Sequence, residues 1–306
     1  MTHDFEGIYA STIVPFKADD LVDEVALAEH VSAVASTPGI RGLLINGHAG
    51  ENFVLSRAEK RRIVEVVRAA VGRDTILISG VNAESSREAG EHARDAEAAG
   101  ADTILVFPPF SWALPQDPQV CVNHHRAVLE ATDLPLMLYQ APVGAGALAY
   151  SPEQLRSLVA LPRIVAIKEG SWETARYEAN LRLVNEAAPH ILVQPSGDEH
   201  LFTCFMLGGR GSQVSIAAII PAAVVALDAA VRSGDLDAAR RAHKVIYPLA
   251  KAIYGTAPGS LATARIKACL KLLGRLRNDS MRMPIGPLGE AEKERLRQAL
   301  AAAGLV

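Results

Sequence analysis

The residue whose surroundings point most directly to chemistry is a lysine. Lys168 closes the apolar run Ile164-Val165-Ala166-Ile167. Period-two alternation along a strand would put Ile164, Ala166 and Lys168 on one side. If that side is the interior of a closed sheet, burial disfavours the charged amine and lowers its pKa. A neutral amine adds to a ketone and forms a Schiff base. The alternative is an ammonium that snorkels out of the end of the sheet while its stem packs. Tyr139 ends the preceding apolar run, LPLMLY (134–139), at the equivalent height. Neighbouring parallel strands lie ~4.8 Å apart, so the phenol can reach the amine or a substrate on it. There it either moves protons or stands as a rim residue with a wet hydroxyl.

Three further segments follow apolar runs. NGHAGEN (46–52) carries Gly47 and Gly50, which let backbone approach a ligand and turn N–H groups toward an anion. Within it, His48 is either an acid–base group or an exposed loop histidine. In PSGDE (195–199), Asp198 either bonds substrate hydroxyls or caps the next helix. FPPFSW (107–112) ends a fourth run. His124-His125 lies in a helical stretch without metal-site spacing, and HExxH and CxxC patterns are absent, so no metal is expected.

The elements that must position these residues alternate. Short apolar segments recur at 8–14, 41–46, 75–81, 102–107, 134–139, 163–168, 191–195 and 212–216. Helical segments lie between them. Ser56 with Glu59 reads as a capping box, Gly100 as a helix stop after 84–99, and Ser151-Pro152 as a helix start. Continuous apolar strands separated by helices imply a parallel sheet covered on both faces. About eight such units favour a closed (β/α)8 TIM barrel over an open doubly wound sheet, and no GxGxxG follows the first strand. Catalytic groups of such a barrel sit at the C-terminal strand ends, where the residues above fall. Beyond about residue 220 only helices are expected, at 221–232, 235–254, 259–273 and 290–302. The expected division is a barrel at 1–232 and a C-terminal helical extension at 233–306.

The 306-residue chain is 49% hydrophobic and 21% charged, with a net charge of −3, an ordinary globular balance. No basic field suggests nucleic acid, and no apolar run reaches the roughly 20 residues of a membrane span. MTHDFEGIY lacks the basic and apolar parts of a signal peptide, and Cys121, Cys204 and Cys269 are odd in number and widely spaced. Reduced core cysteines in a cytoplasmic protein are the expectation.

In their order and separation these motifs resemble the dihydrodipicolinate synthase/N-acetylneuraminate lyase family, the pyruvate-dependent class I lyases. GIYASTIVPF (7–16) is similar to the family's opening strand, GHAGE to G-[ST]-T-G-E, and LYQAP to Y-N-x-P. IVAIKE is similar to the lysine strand, SGDE and GGRGSQVSI to the two strand ends that follow, and RMPIGPL (282–288) to the R-x-P-x-x-P-L tail. The resemblance implies a Schiff base on Lys168, proton transfer by Tyr139, a carboxylate held by the GHAGE backbone, and a homotetramer. It implies no cofactor, since the protonated imine is the electron sink.

Departures shape the expected substrate. Family members that condense pyruvate with aspartate semialdehyde carry an arginine shortly after Y-N-x-P, where Gly144 stands here. His48 and Ala49 replace paired hydroxyls, Phe110 replaces a tyrosine, and Gln213 replaces an isoleucine and is expected to face the substrate. Ala49, Phe110 and Gln213, with Gly47, Ser196 and Asp198, form the expected substrate-binding set beside the catalytic Lys168, Tyr139 and His48. The expected activity is a lyase on a 2-oxo acid: an aldolase releasing pyruvate, or a dehydratase of a 2-oxo-3-deoxy sugar acid. Dihydrodipicolinate synthesis is the alternative, and a barrel that binds a carboxylate without turnover is the alternative of another class.

Overall fold

The computed structural model describes residues 4–114 and 117–306; the first three residues of the stretch read for a leader lie outside them. Eight parallel strands form the sheet: β1 (Ile8–Ser11), β2 (Ile40–Ile45), β3 (Ile76–Val81), β4 (Thr103–Val106), β5 (Leu136–Gln140), β6 (Ile164–Glu169), β7 (Leu192–Pro195) and β8 (Ser212–Val214). They are ordered β7-β6-β5-β4-β3-β2-β1-β8, so the sheet curls until its first and eighth strands pair. With the helices between its strands, this is the (β/α)8 barrel that the alternation of elements predicts.

Helices α1 (Glu24–Ala35), α2 (Arg57–Val71), α3 (Ser86–Ala99), α4 (Pro118–Ala131), α5 (Pro152–Val159), α6 (Thr174–Ala187), α7 (Leu201–Met206) and α8 (Pro221–Ser233) follow the strands in turn. Their starts are written locally. The Ser56 side chain accepts from Glu59 N–H while the Glu59 carboxylate accepts from Ser56 N–H. Ser151 and Gln154 repeat the box at α5, with proline at the first helical position. Three more helices, α9 (Leu236–Ile253), α10 (Ala262–Leu272) and α11 (Glu290–Ala302), make the C-terminal extension. No helix among the described residues is long and apolar enough to cross a membrane.

Two apolar cores result. The larger lies between strands and helices; the smaller fills the barrel and includes Tyr9, Leu44, Ile78, Leu105, Met137, Tyr139 and Ala166. Alternation assigns residues to them except at the start of β2, where pairing with β1 slips and Ile40 packs on the outer core, and in β6. Pairing there slips between Leu136↔Ile164 and Met137↔Ala166. Ile164 therefore joins the outer core instead of sharing the inner side with Ala166 and Lys168 as expected, because a bulge inserts one residue and inverts the alternation.

The β7/β8 seam has no ladder among the described strands. Side chains bridge it: Gln213 Nε2 donates to Gln194 Oε1 at 2.7 Å, and Gln194 Nε2 donates to the Phe5 carbonyl at 2.8 Å. Cys121, Cys204 and Cys269 are free and buried, in α4, α7 and α10.

Candidate active site

A cavity of about 540 Å³ opens where the C-terminal strand ends meet the extension. Lys168 forms part of its floor. The side chain crosses the barrel, and its amine donates to Ser11 Oγ at the end of β1, at 3.1 Å. Among the described residues no carboxylate pairs with it. The neighbouring Glu169 points to the other face of the strand, where its carboxylate accepts from Asn180 Nδ2 at 2.8 Å and Ser171 Oγ at 3.0 Å. Burial pushes the Lys168 amine well below the ordinary lysine range, and the charge of Asp198 only partly opposes this. Burial pushes the Asp198 carboxyl up, against the pull of the Ile216 N–H and of Lys168. Asp198 does not cap α7, one of its expected alternatives. Its Oδ1 accepts from Ile216 N–H at 2.7 Å, beyond β8.

Tyr139 stands opposite Lys168 in the β5–β6 register. Burial, with the Glu169 charge behind it, raises its pKa, so the phenol holds its proton. Gly170 makes room for this ring. A Cβ there would lie 2.9 Å from the Gln140 carbonyl and 3.3 Å from the ring of Tyr139.

The GHAGE segment folds as a short 3-10 turn, His48–Gly50. Gly50 N–H donates to the Gly47 carbonyl at 3.0 Å, so the turn leaves the N–H groups of His48 and Ala49 outside its own bonding. The His48 ring lies 4.3 Å from Phe107 and 5.4 Å from Tyr139, edge to face. Burial and the Lys168 charge lower its pKa to about 4, so the imidazole is neutral at neutral pH. The segment is then pinned from outside. Glu51, in the left-handed region at φ 56°, sends its buried carboxylate to the buried ammonium of Lys267 in α10.

Of the expected residues, Lys168, Tyr139, His48, Ala49, Phe110, Ser196 and Asp198 line the cavity. Gly47 does not; a Cβ on it would face Leu44 and Phe107, inside the wall. Gln213 does not face the cavity either. It is fully buried in the barrel, held by Gln194 and 3.2 Å from Met137 Sδ. The resemblance that pointed it at the substrate fixes its place on the strand but not its depth in the barrel. His124 and His125 are buried on α4, where His124 Nδ1 meets Ser86 Oγ at 3.0 Å and His125 Nε2 meets Tyr150 Oη at 3.2 Å.

Several lining residues escaped the sequence reading. Ser11 was hidden because the run 8–14 read as one strand, whereas β1 stops at Ser11. Phe53, Trp172 and Ser215 follow strand ends that had been noted for other residues. The roof, with Tyr254, Ser260, Thr263, Pro284 and Ile285, comes from the extension. Arg282 fastens the RMPIGPL tail there. It donates to the Val54 carbonyl at 3.0 Å and the Asp20 carbonyl at 2.6 Å, and pairs with Glu59. Buried Arg265 fixes the turn before α10 through the Ile253 and Thr256 carbonyls, at 2.8 and 2.7 Å.

The comparisons with known proteins agree with this geometry. The model of the Dihydrodipicolinate synthetase family matches residues 4–303. The 4-hydroxy-tetrahydrodipicolinate synthase of Syntrophobacter fumaroxidans is 30% identical over 99% of this chain and 100% of its own length. That of Parasynechococcus marenigrum is 33% identical over 97% of this chain and 95% of its own. The crystal structure of YagE, a prophage protein of the dihydrodipicolinic acid synthase family from E. coli K12 in complex with pyruvate, superposes with a TM-score of 0.90. It is 27% identical and covers 99% of each chain. A barrel of this order, with relatives matched end to end, belongs to the dihydrodipicolinate synthetase family.

Proposed function

We propose that this protein is a class I lyase that holds pyruvate or a longer 2-oxo acid as a Schiff base on Lys168. One observation carries the reading. The Lys168 amine is buried at the floor of a cavity, bonded to one neutral hydroxyl and opposite Tyr139 in register. An amine so placed is partly neutral near pH 7 and free to attack a carbonyl.

The proposed sequence is as follows. Lys168 adds to the 2-oxo carbon and water leaves, giving the protonated imine. In an aldol cleavage, the C4 hydroxyl gives up its proton, the C3–C4 bond breaks, and its electron pair flows into the imine as an enamine. C3 then takes a proton and water releases pyruvate. In a dehydration, a C3 proton leaves instead and the C4 hydroxyl departs as water. Tyr139 moves these protons, and the His48 and Ala49 N–H groups hold the carboxylate. His48 itself, neutral and packed on Phe107, serves as a hydrogen-bonding wall. The imine supplies the electron sink, so the scheme calls for no metal or organic cofactor. The homotetramer and the cytoplasmic location stand as proposals on the family resemblance and on the three free cysteines. Residues 233–306 are proposed as the roof of one catalytic unit with the barrel at 1–232.

The relatives' names support dihydrodipicolinate synthesis as the second reading. Against it, Lys168 is the only Lys or Arg among the described lining residues, and no second cation stands ready for an aldehyde that carries a carboxylate. Reduction by borohydride in the presence of pyruvate tests the proposal. Irreversible added mass on the peptide that carries Lys168 is expected; an unlabelled protein refutes it.

A further inference from the structure

Phe53 and Phe110 are 48% and 47% exposed, and both line this cavity. Apolar rings left in water around a concavity mark a surface that a ligand covers. Each ring centroid stands 6.5 Å from that of His48, which packs on Phe107 in turn. Trp172 and Tyr254, 4.9 Å apart, also line the cavity, and Pro142, Pro284 and Ile285 complete the apolar surface. The backbone that carries Phe110 is held in place, because its N–H donates to Glu84 Oε1 at 2.9 Å.

Several polar groups on the lining already have partners. Ser11 serves Lys168 and Ser215 bonds Tyr254. Thr263 reaches the His48 carbonyl, and Asp198 holds the Ile216 N–H. A polyhydroxylated chain would lay hydroxyls against phenyl faces with few partners, which is costly. A second carboxylate would find no Lys or Arg left among the described lining residues, since Lys168 is spent on the imine.

We propose that the cavity takes 4-hydroxy-2-oxo acids whose chain beyond C4 is uncharged and aromatic or bulky and apolar. Cleavage of the C3–C4 bond then yields pyruvate and an aromatic-type aldehyde. The C4 hydroxyl proton leaves and the bond pair returns to C3, which takes up a proton. The water lost on forming the imine is regained on its hydrolysis, so the balance closes without another reagent. The keto acid end sits at Lys168, and the ring lies within reach of Phe53, Phe110, Trp172 and Tyr254. Edge-to-face and offset ring contacts favour such a fit. This inference rests on the Schiff-base reading.

The test condenses pyruvate with benzaldehyde, glyceraldehyde or succinic semialdehyde on the full-length protein and follows product by mass spectrometry. Benzaldehyde is expected to exceed both others in kcat/KM by about 30-fold or more. Phe53→Ser with Phe110→Ser is expected to cut that advantage roughly tenfold. Both rings are half-exposed, so the fold does not depend on them. A wild type that fixes pyruvate on Lys168 under borohydride yet prefers glyceraldehyde or succinic semialdehyde overturns the inference alone. So does an undiminished preference in the double variant. A wild type that fixes no pyruvate overturns the Schiff-base reading, and this inference with it.

Discussion

Lys168 and Lys267 are both buried lysines, yet they are furnished in opposite ways. Lys267 has a carboxylate, Glu51, a backbone acceptor in the Ser280 carbonyl at 2.9 Å, and the face of Phe16 at 4.3 Å. Among the described residues Lys168 has a single acceptor, the Ser11 hydroxyl. Burial lowers the pKa of both, but at Lys267 a bonded carboxylate works against it, while at Lys168 Asp198 acts without pairing. A buried lysine with a full set of acceptors is a fastener; one left short of them has an amine available for covalent chemistry. The two are also joined through the chain. Lys267 holds Glu51, and Glu51 ends the turn that presents His48 to the cavity.

Exchanging the side chains should separate these roles. Lys168→Ala is expected to lower turnover by ~10⁴-fold or more and to abolish labelling by pyruvate and borohydride, while the protein stays folded. Undiminished labelling in that variant would place the imine elsewhere. Lys267→Met should do the reverse. It strands a buried carboxylate and should cost about 3–5 kcal/mol of stability in urea unfolding. Adding Glu51→Leu should recover most of that loss, because replacing both partners removes the stranded charge. A single Lys267→Met as stable as wild type would mean that the pair is not a fastener.

Smaller changes sharpen the contrast. His48→Asn is expected to reduce kcat/KM by roughly tenfold through lost packing and hydrogen bonding. The rate profile near neutral pH should keep its shape, because a ring with a pKa of about 4 is already neutral there. Loss of a limb near pH 7 would establish His48 as an acid–base group. The smallest effect concerns Asp198. The neutral Lys168 amine increases as pH rises, so imine formation should climb through an ascending limb near pH 8, where the amine loses its proton at about 8. Asp198 raises that value, so Asp198→Asn should move the limb toward lower pH, by about one unit or less. A shift toward higher pH would contradict the assigned direction.

How far the sequence carries depends on what each pattern encodes. Strand-end position and apolar alternation located Lys168 and Tyr139, since both are local properties of one strand. The Ser56–Glu59 box was legible for the same reason. Alternation failed at Ile164, because a bulge depends on the partner strand and leaves no mark on its own. The family resemblance put Gln213 toward the substrate without saying how deep it lies, and depth decides between a pocket wall and a seam. The roof was not legible at all. Amphipathic spacing in 259–273 gives a helix with a buried face, but not the mouth of a barrel as what that face meets. The Arg282 contacts that put Pro284 and Ile285 over the cavity join residues 223 or more positions apart.

The glutamine bridge between β7 and β8 makes the barrel wall uneven. Seven of its junctions are ladders of backbone bonds, which open only when several bonds yield together. The eighth depends on two side-chain amides and the chain entering at Phe5. Amide protons facing that seam should therefore exchange with solvent before those of β3 to β5, and the wall should part there first under denaturant. The strands on either side lead into Ser196, Asp198 and Ser215. The least reinforced line of the cylinder thus runs up to the chamber where the substrate would sit, so one side of that chamber can flex while Lys168 and Tyr139, side by side on paired strands, keep their spacing.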